Sequence, residues 1–146
     1  MGVTSTPPLV PRAFRPGDRS GVRELWHVCG LVQPANDPDA DIDRKLHRDP
    51  EGLLVLEIDG RVSGTVMVGY EGHRGWINYL AVHPAIRRQG LGTTLMGAAE
   101  SRLRELGCPK VNLQVRRSNR SVLAFYRSLG YNVDDVVSMG KRLTDV

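Results

Sequence analysis

The chain has 146 residues, with 20 Lys and Arg against 16 Asp and Glu, a net charge of +4. At 40% hydrophobic and 25% charged it has the make-up of a globular domain with room for a core, and not of a disordered or fibrous chain. A basic balance suits anionic partners, but aromatics are only 5% and none interleave with a basic run, which argues against a single-stranded nucleic-acid platform; no nucleic-acid partner is expected.

No apolar run reaches the roughly 18 residues of a membrane span. The opening "MGVTSTPPLVPRAF" lacks the basic start and apolar centre of a secretory signal. A cytoplasmic address without a membrane partner is expected. Residues 1–8 read as a frayed lead-in to a single domain over 9–146. Cys29 and Cys108 stand at unrelated spacings, so neither a disulfide framework nor a metal site is expected.

"DRSGVRELWHVCGLV" puts Val22, Leu25, Trp26 and Cys29 on one helical stripe, with Asp18 or Ser20 as cap. "QPANDPDADIDRKLHRDP" is a proline-broken loop and then a short helix over 39–48. "GLLVLEIDGRVSGTVMVGY" reads as two strands around an Asp59-Gly60 turn. "EGHRG" is a second turn, leading into the strand "WINYLAV". Next, "VHPAIRRQGLGTT" opens a helix over 91–106, with Leu91, Leu95, Met96, Ala99, Leu103 and Leu106 as its apolar stripe. Gly107 stops it. "KVNLQV" is a strand, and "SNRSVLAFYRSLG" is a helix capped by Ser118 or Asn119. "YNVDDVVSMGKRL" supplies one or two closing strands. The order β-α-α-β-β-β-α-β-α-β describes a mixed α/β domain, with a parallel crossover over residues 76–115.

The chemistry concentrates at "RRQGLGTT". A helix start leaves backbone N–H groups unpaired and carries roughly +0.5 charge from the helix dipole. Gly90 and Gly92 let an anion approach the backbone, Arg87 and Arg88 add charge, and Thr93 and Thr94 add hydroxyls. A plain tight turn with solvated arginines is the bland alternative. Walker A fails, because no Gly-Lys-Ser/Thr ends the loop, and a dinucleotide fingerprint fails because its third glycine would fall at Leu95.

Arg87-x-x-Gly90-x-Gly92 directly after "LAVHP" resembles the acetyl-CoA motif of the Gcn5-related N-acetyltransferases, the GNAT family. "NRSVLAFYRSLGY" resembles that family's later motif. "NDPDADIDRK", "GTVMVGYEGHRG" and "SMGKRL" look closer still, to its small bacterial YpeA-type members. The resemblance covers about 12–143. It implies a GNAT fold with a splayed central sheet and acetyl-CoA as cosubstrate, with no metal. The pyrophosphate would rest on the backbone of Arg87, Arg88, Gln89, Gly90, Leu91, Gly92 and Thr93. The pantetheine arm would pair with the backbone of Leu80, Ala81 and Val82. Asn119 would reach the cofactor, and Tyr126 would protonate the departing thiolate. His83-Pro84 reads as a strand end more than as chemistry.

The general base is where the chain departs from better-known relatives. The inward positions on the strand before the loop are Trp76 and Asn78, and "LQVR" has Gln114 where ribosomal-protein acetyltransferases have a glutamate. A lysine of pKa ~10.4 is about 0.04% neutral at pH 7, a cost of roughly 4.6 kcal/mol. An α-amine of pKa ~7.7–8.0 costs only about 1 kcal/mol. The site therefore relays the proton through water to a loop carboxylate, or takes an easier amine. Asp37, Glu71 and His73 are the candidates for base or relay.

The acceptor pocket is expected between "QPANDPDADI" and the hairpin around residues 70–76, lined by Asn36, Trp76, Asn78 and Tyr79. Asp39, Asp41 and Asp43 suit a cationic acceptor there, or simply start a helix. The reading is an acetyl-CoA-dependent N-acetyltransferase acting on a primary amine by direct attack. An acyl-CoA-binding module without catalysis is its rival. The apolar strand at "SMGKRL" leaves a homodimer open.

Overall fold

A computed structural model describes residues 9–144; the lead-in over 1–8 lies outside the described residues. The chain divides into two compact units, one running to Leu113 and one beginning at Gln114.

The first unit is a five-stranded sheet in the order β1-β2-β3-β4-β5, with β1 Arg12–Ala13, β2 Leu53–Ile58, β3 Arg61–Tyr70, β4 Gly75–Val82 and β5 Val111–Leu113. The first four strands pair antiparallel. β4 and β5 pair parallel, as the crossover requires. The β2–β3 hairpin turns at Asp59-Gly60 as expected, closing on the pair Ile58↔Arg61. The β4–β5 ladder ends at Ile77↔Leu113, so β4 beyond Ile77 has no ladder partner on that side among the described residues.

One face of the sheet carries α1 (Arg19–Val28) and α2 (Pro38–Arg48). Their apolar stripes bury Val22, Leu25, Trp26 and Ile42 against Leu53, Val55 and Ala81, where transfer from water stabilises each large side chain by about 1.5–3 kcal/mol. α3 (Leu91–Glu105) covers the other face with Leu91, Leu95, Met96, Ala99 and Leu103. The expected sixth member of that stripe, Leu106, is exposed, because the helix ends one residue before it.

The cap expected for α1 is different in detail. Asp18 occupies the N-cap position but makes no capping bond. Its carboxylate is taken by the Arg12 guanidinium at 2.8 and 3.0 Å and by the Arg15 N–H at 2.7 Å. These bonds tie β1 to the start of the helix.

In the second unit α4 (Arg120–Ser128) starts at Asn119, whose side chain accepts from the Val122 N–H. The closing strands expected over 131–143 are not formed. Val133, Val136, Val137, Met139 and Leu143 are all exposed there. Two aspartates and Gly140 cut the apolar run to a few residues, and adjacent Val136 and Val137 cannot share one face of a strand.

Candidate functional site

The loop between β4 and α3 begins with a short 3-10 turn, Pro84–Ile86, capped by His83, whose Nδ1 accepts from the Ala85 N–H at 3.1 Å. His83 thus closes the strand. Arg87 folds back: its Nε donates to the Val82 carbonyl at 3.3 Å, and its Nη2 lies 3.8 Å from Cys29 Sγ. Arg88 and Gly90 both have left-handed backbones, φ 69 and 75, with Gln89 between them. Alternating backbone hand turns successive N–H groups toward a common side. The first helical bond of α3 runs from the Thr94 N–H to the Gly90 carbonyl, at 3.0 Å. The N–H groups of Leu91, Gly92 and Thr93 precede it and have no carbonyl a turn earlier to bond. Residues 87–90 are exposed, so basic side chains, a turned backbone and a helix start meet on open surface.

On β4 itself Trp76 and Asn78 are exposed, not inward as the sequence suggested. They share the α2 side of the sheet. Trp76 pairs with Gly69, over which Lys45 of α2 lies, and a shallow groove is lined by Arg48, Gly69, Tyr70, Glu71 and Trp76. Arg48, at the end of α2, was not expected there. Of the residues expected to line this pocket, Trp76 is among the groove's residues and Asn36, Asn78 and Tyr79 are not.

The strand also carries a bulge. Thr65 faces Ala81 and Met67 faces Asn78, so Val66 opposes both Tyr79 and Leu80. Tyr79 has φ 51, a costly conformation for a bulky residue. The surroundings hold it there. Its ring stacks on Trp26 with centroids 3.7 Å apart and planes 11° from parallel. Trp26 Nε1 donates to Thr65 Oγ1 at 2.8 Å, and that hydroxyl donates to the Tyr79 carbonyl at 2.9 Å. The Tyr79 hydroxyl donates to Asp41 Oδ2 at 2.5 Å. Burial first, then the Asp41 carboxylate, pushes the phenol above its ordinary range, so it stays protonated.

The three candidate bases are not brought together. Asp37 is the N-cap of α2, accepting from the Ala40 N–H at 3.2 Å. Glu71 holds its own turn, accepting from the His73 and Arg74 N–H groups. His73 is exposed on that turn. Asp39 and Asp43 pair with Arg19 and Arg23 on the surface. Asp41 is the acidic residue that faces β4, a role its place in a run of helix-starting aspartates gave no means of separating. In the second unit Tyr126 is buried, its ring edge-on to Phe125 and Tyr131. Burial raises its hydroxyl to about 12. Gln114 hydrogen-bonds Ser138. Among the described residues there is no cluster of three or more His, Cys, Asp or Glu that could hold a metal, and no helix is long and apolar enough to cross a membrane.

The sequence model of the Acetyltransferase (GNAT) family matches residues 20–131, and the chain belongs to that family. An acetyltransferase of Pectobacterium atrosepticum is 45% identical over 134 residues, 92% of this chain and 95% of that one. One from Yersinia enterocolitica is 46% identical over 132 residues, 90% and 94% of the two chains. In fold, the chain is similar to aminoglycoside N-acetyltransferase AAC(6')-Iy in complex with CoA (TM-score 0.76, 17% identity, 97% and 99% covered). It is also similar to the Escherichia coli ribosomal-protein-S18-alanine N-acetyltransferase (TM-score 0.71, 21% identity, 84% and 77% covered). The protein is an acyltransferase of the GNAT class, with the mixed sheet of that family.

Proposed function

We propose that residues 9–146 form an N-acetyltransferase domain that takes acetyl-CoA as cosubstrate and passes its acetyl group to a primary amine by direct attack on the thioester. The observation that carries this is the exposed turn at Arg88 and Gly90, with the N–H groups of Leu91, Gly92 and Thr93 at the start of α3 behind it. Backbone from Arg87 through Thr93 holds the pyrophosphate. The open side of β4 at Leu80–Val82 lies along the pantetheine arm, the Val82 carbonyl being taken by Arg87 and Cys29. Asn119 contributes to the cofactor, its side chain also capping α4. Bound acetyl-CoA supplies the activated acyl group. Tyr126, kept protonated by burial, donates a hydrogen bond to the leaving sulfur.

The amine enters on the face of Trp76, Asn78 and Tyr79. Asp37 and Glu71 are spent on backbone caps, which supports an amine that is partly neutral at working pH. An α-amine meets that condition and a lysine side chain does not. On this reading kcat/KM rises with pH and levels off near the α-amine value of about 7.7–8.0. A limb that keeps rising toward about 10 assigns lysine instead. Two copies would associate through the segment "SMGKRL", where Met139 and Leu143 are exposed, an assembly that sedimentation over a hundredfold concentration range tests.

The direct test has two arms. Calorimetry should show one acetyl-CoA bound per chain, with binding weakened by salt. Release of CoA should then depend on an added amine. Saturable binding without amine-dependent release would leave an acyl-CoA-binding module, and no binding would remove the cosubstrate altogether.

A further inference from the structure

The strand that faces the acceptor side is interrupted at Tyr79, and three contacts hold the interruption. Trp26 stacks on the ring, Thr65 donates to the carbonyl, and Asp41 accepts from the hydroxyl. The last contact decides what the phenol can do. A tyrosine hydroxyl has one proton to donate and lone pairs that accept. With its proton committed to Asp41, Tyr79 Oη is left as an acceptor only. An attacking amine needs such a partner: an N–H that is held by an acceptor points its lone pair elsewhere. Tyr79 is partly exposed, and the bulge turns its side chain to the side of α1 and α2, the side that also carries the exposed Trp76 and Asn78. Asp41 also takes the Arg44 guanidinium on its other oxygen, Oδ1, at 2.7 Å. That pair is exposed on the Arg44 side, and an exposed ion pair contributes little, so the phenol is the contact on the carboxylate's inner oxygen.

We propose that Tyr79 Oη is the hydrogen-bond acceptor for an N–H of the incoming amine, and that Asp41 is a positioning residue, acting through Tyr79 by holding its proton. The assignment rests on the transferase reading above. It differs from the expectation of a loop base at Asp37, Glu71 or His73. It selects for acceptors that retain an N–H when neutral, and Tyr79 supplies orientation instead of proton removal.

The test is a double-mutant cycle on Tyr79→Phe and Asp41→Ala, with Arg44→Ala as control. Tyr79→Phe keeps the stack on Trp26. CoA release, read by chromatography, is measured with spermidine, an alanine-terminated peptide and Nα-acetyl-lysine, and acetyl-CoA affinity by calorimetry. Each single variant should lose tenfold or more in kcat/KM for the amine, with acetyl-CoA affinity within twofold of the parent. The combined variant should be no worse than Tyr79→Phe alone, since neighbours that act as a unit are not additive. Arg44→Ala should be unchanged within twofold. Losses that multiply, a Tyr79→Phe variant within twofold of the parent, or an Arg44→Ala loss equal to that of Asp41→Ala would each overturn the assignment. If the parent binds acetyl-CoA but releases CoA with none of these amines, the transferase reading fails, and this assignment fails with it.

Discussion

Asp18 and Tyr126 show how one residue's surroundings set its chemistry. The Arg12 guanidinium, and then the Arg15 N–H, hold the Asp18 carboxyl below its ordinary 3.8 against the opposing cost of burial. In the unfolded chain the carboxyl titrates near the ordinary value. Between the two values the unfolded state binds more protons, so stability rises with pH there. The contribution is complete above about the ordinary value and is lost as pH falls through the native one. Asp18→Asn should lower stability at pH 7 and flatten this part of the acid limb in denaturant titrations. Tyr126 presents the reverse case. A phenol raised to about 12 is a weaker acid than a thiol of pKa ~8.5, so full proton transfer to the sulfur is uphill. The benefit is a hydrogen bond to a charged atom, about 1.5 kcal/mol or somewhat more. Tyr126→Phe should therefore reduce kcat by about tenfold with acetyl-CoA affinity nearly unchanged. An unaltered kcat would remove Tyr126 from the reaction.

At the scale of elements, α2 is pinned to its neighbours by its C-terminal turn. Lys45 donates to the Val68 carbonyl at 2.6 Å and pairs with Asp49 at 3.4 Å, and Asp49 also takes Arg102 of α3 at 2.7 Å. Gly52 sits in this knot. A Cβ there would lie 2.4 Å from the Val68 carbonyl oxygen and 2.5 Å from Asp49 Oδ2. Gly52→Ala should cost about 1–3 kcal/mol, visible as a lower urea midpoint with unchanged slope. The elements themselves were largely legible in the sequence. Helical stripes, the Asp59-Gly60 turn and the Asn119 cap are local signals, written within a few residues of where they act. The bulge was not. "WINYLAV" alternates smoothly on paper, and only β3's register shows that Tyr79 and Leu80 share one partner. Trp76 and Asn78 were misjudged as inward for the same reason: which face of a strand is covered depends on helices distant in sequence. The turn at residues 87–90 and the helix start behind it were legible because glycine spacing is a local signal. The contacts that hold Tyr79 were not, because Trp26, Asp41 and Thr65 come from separate elements.

For the molecule as a whole, ligand binding should appear as stability. At a concentration a hundred times its dissociation constant, a ligand that binds only the native state adds about 2.7 kcal/mol. For a chain of this length that shift is on the order of 5–10 °C. A scan of Tm against acetyl-CoA concentration checks it, and a flat response would count against cosubstrate binding. The sheet predicts where that stability is felt. Among the described residues, β4 beyond Ile77 pairs with β3 on one side and has no ladder partner on the other. Its amides therefore divide into two kinetic classes in hydrogen–deuterium exchange. Those turned toward β3 should exchange slowly whether or not ligand is present. Those turned away should exchange quickly in the free protein and slow down only when an extended ligand arm lies along the open side. The strand thus reports, amide by amide, whether it is being used.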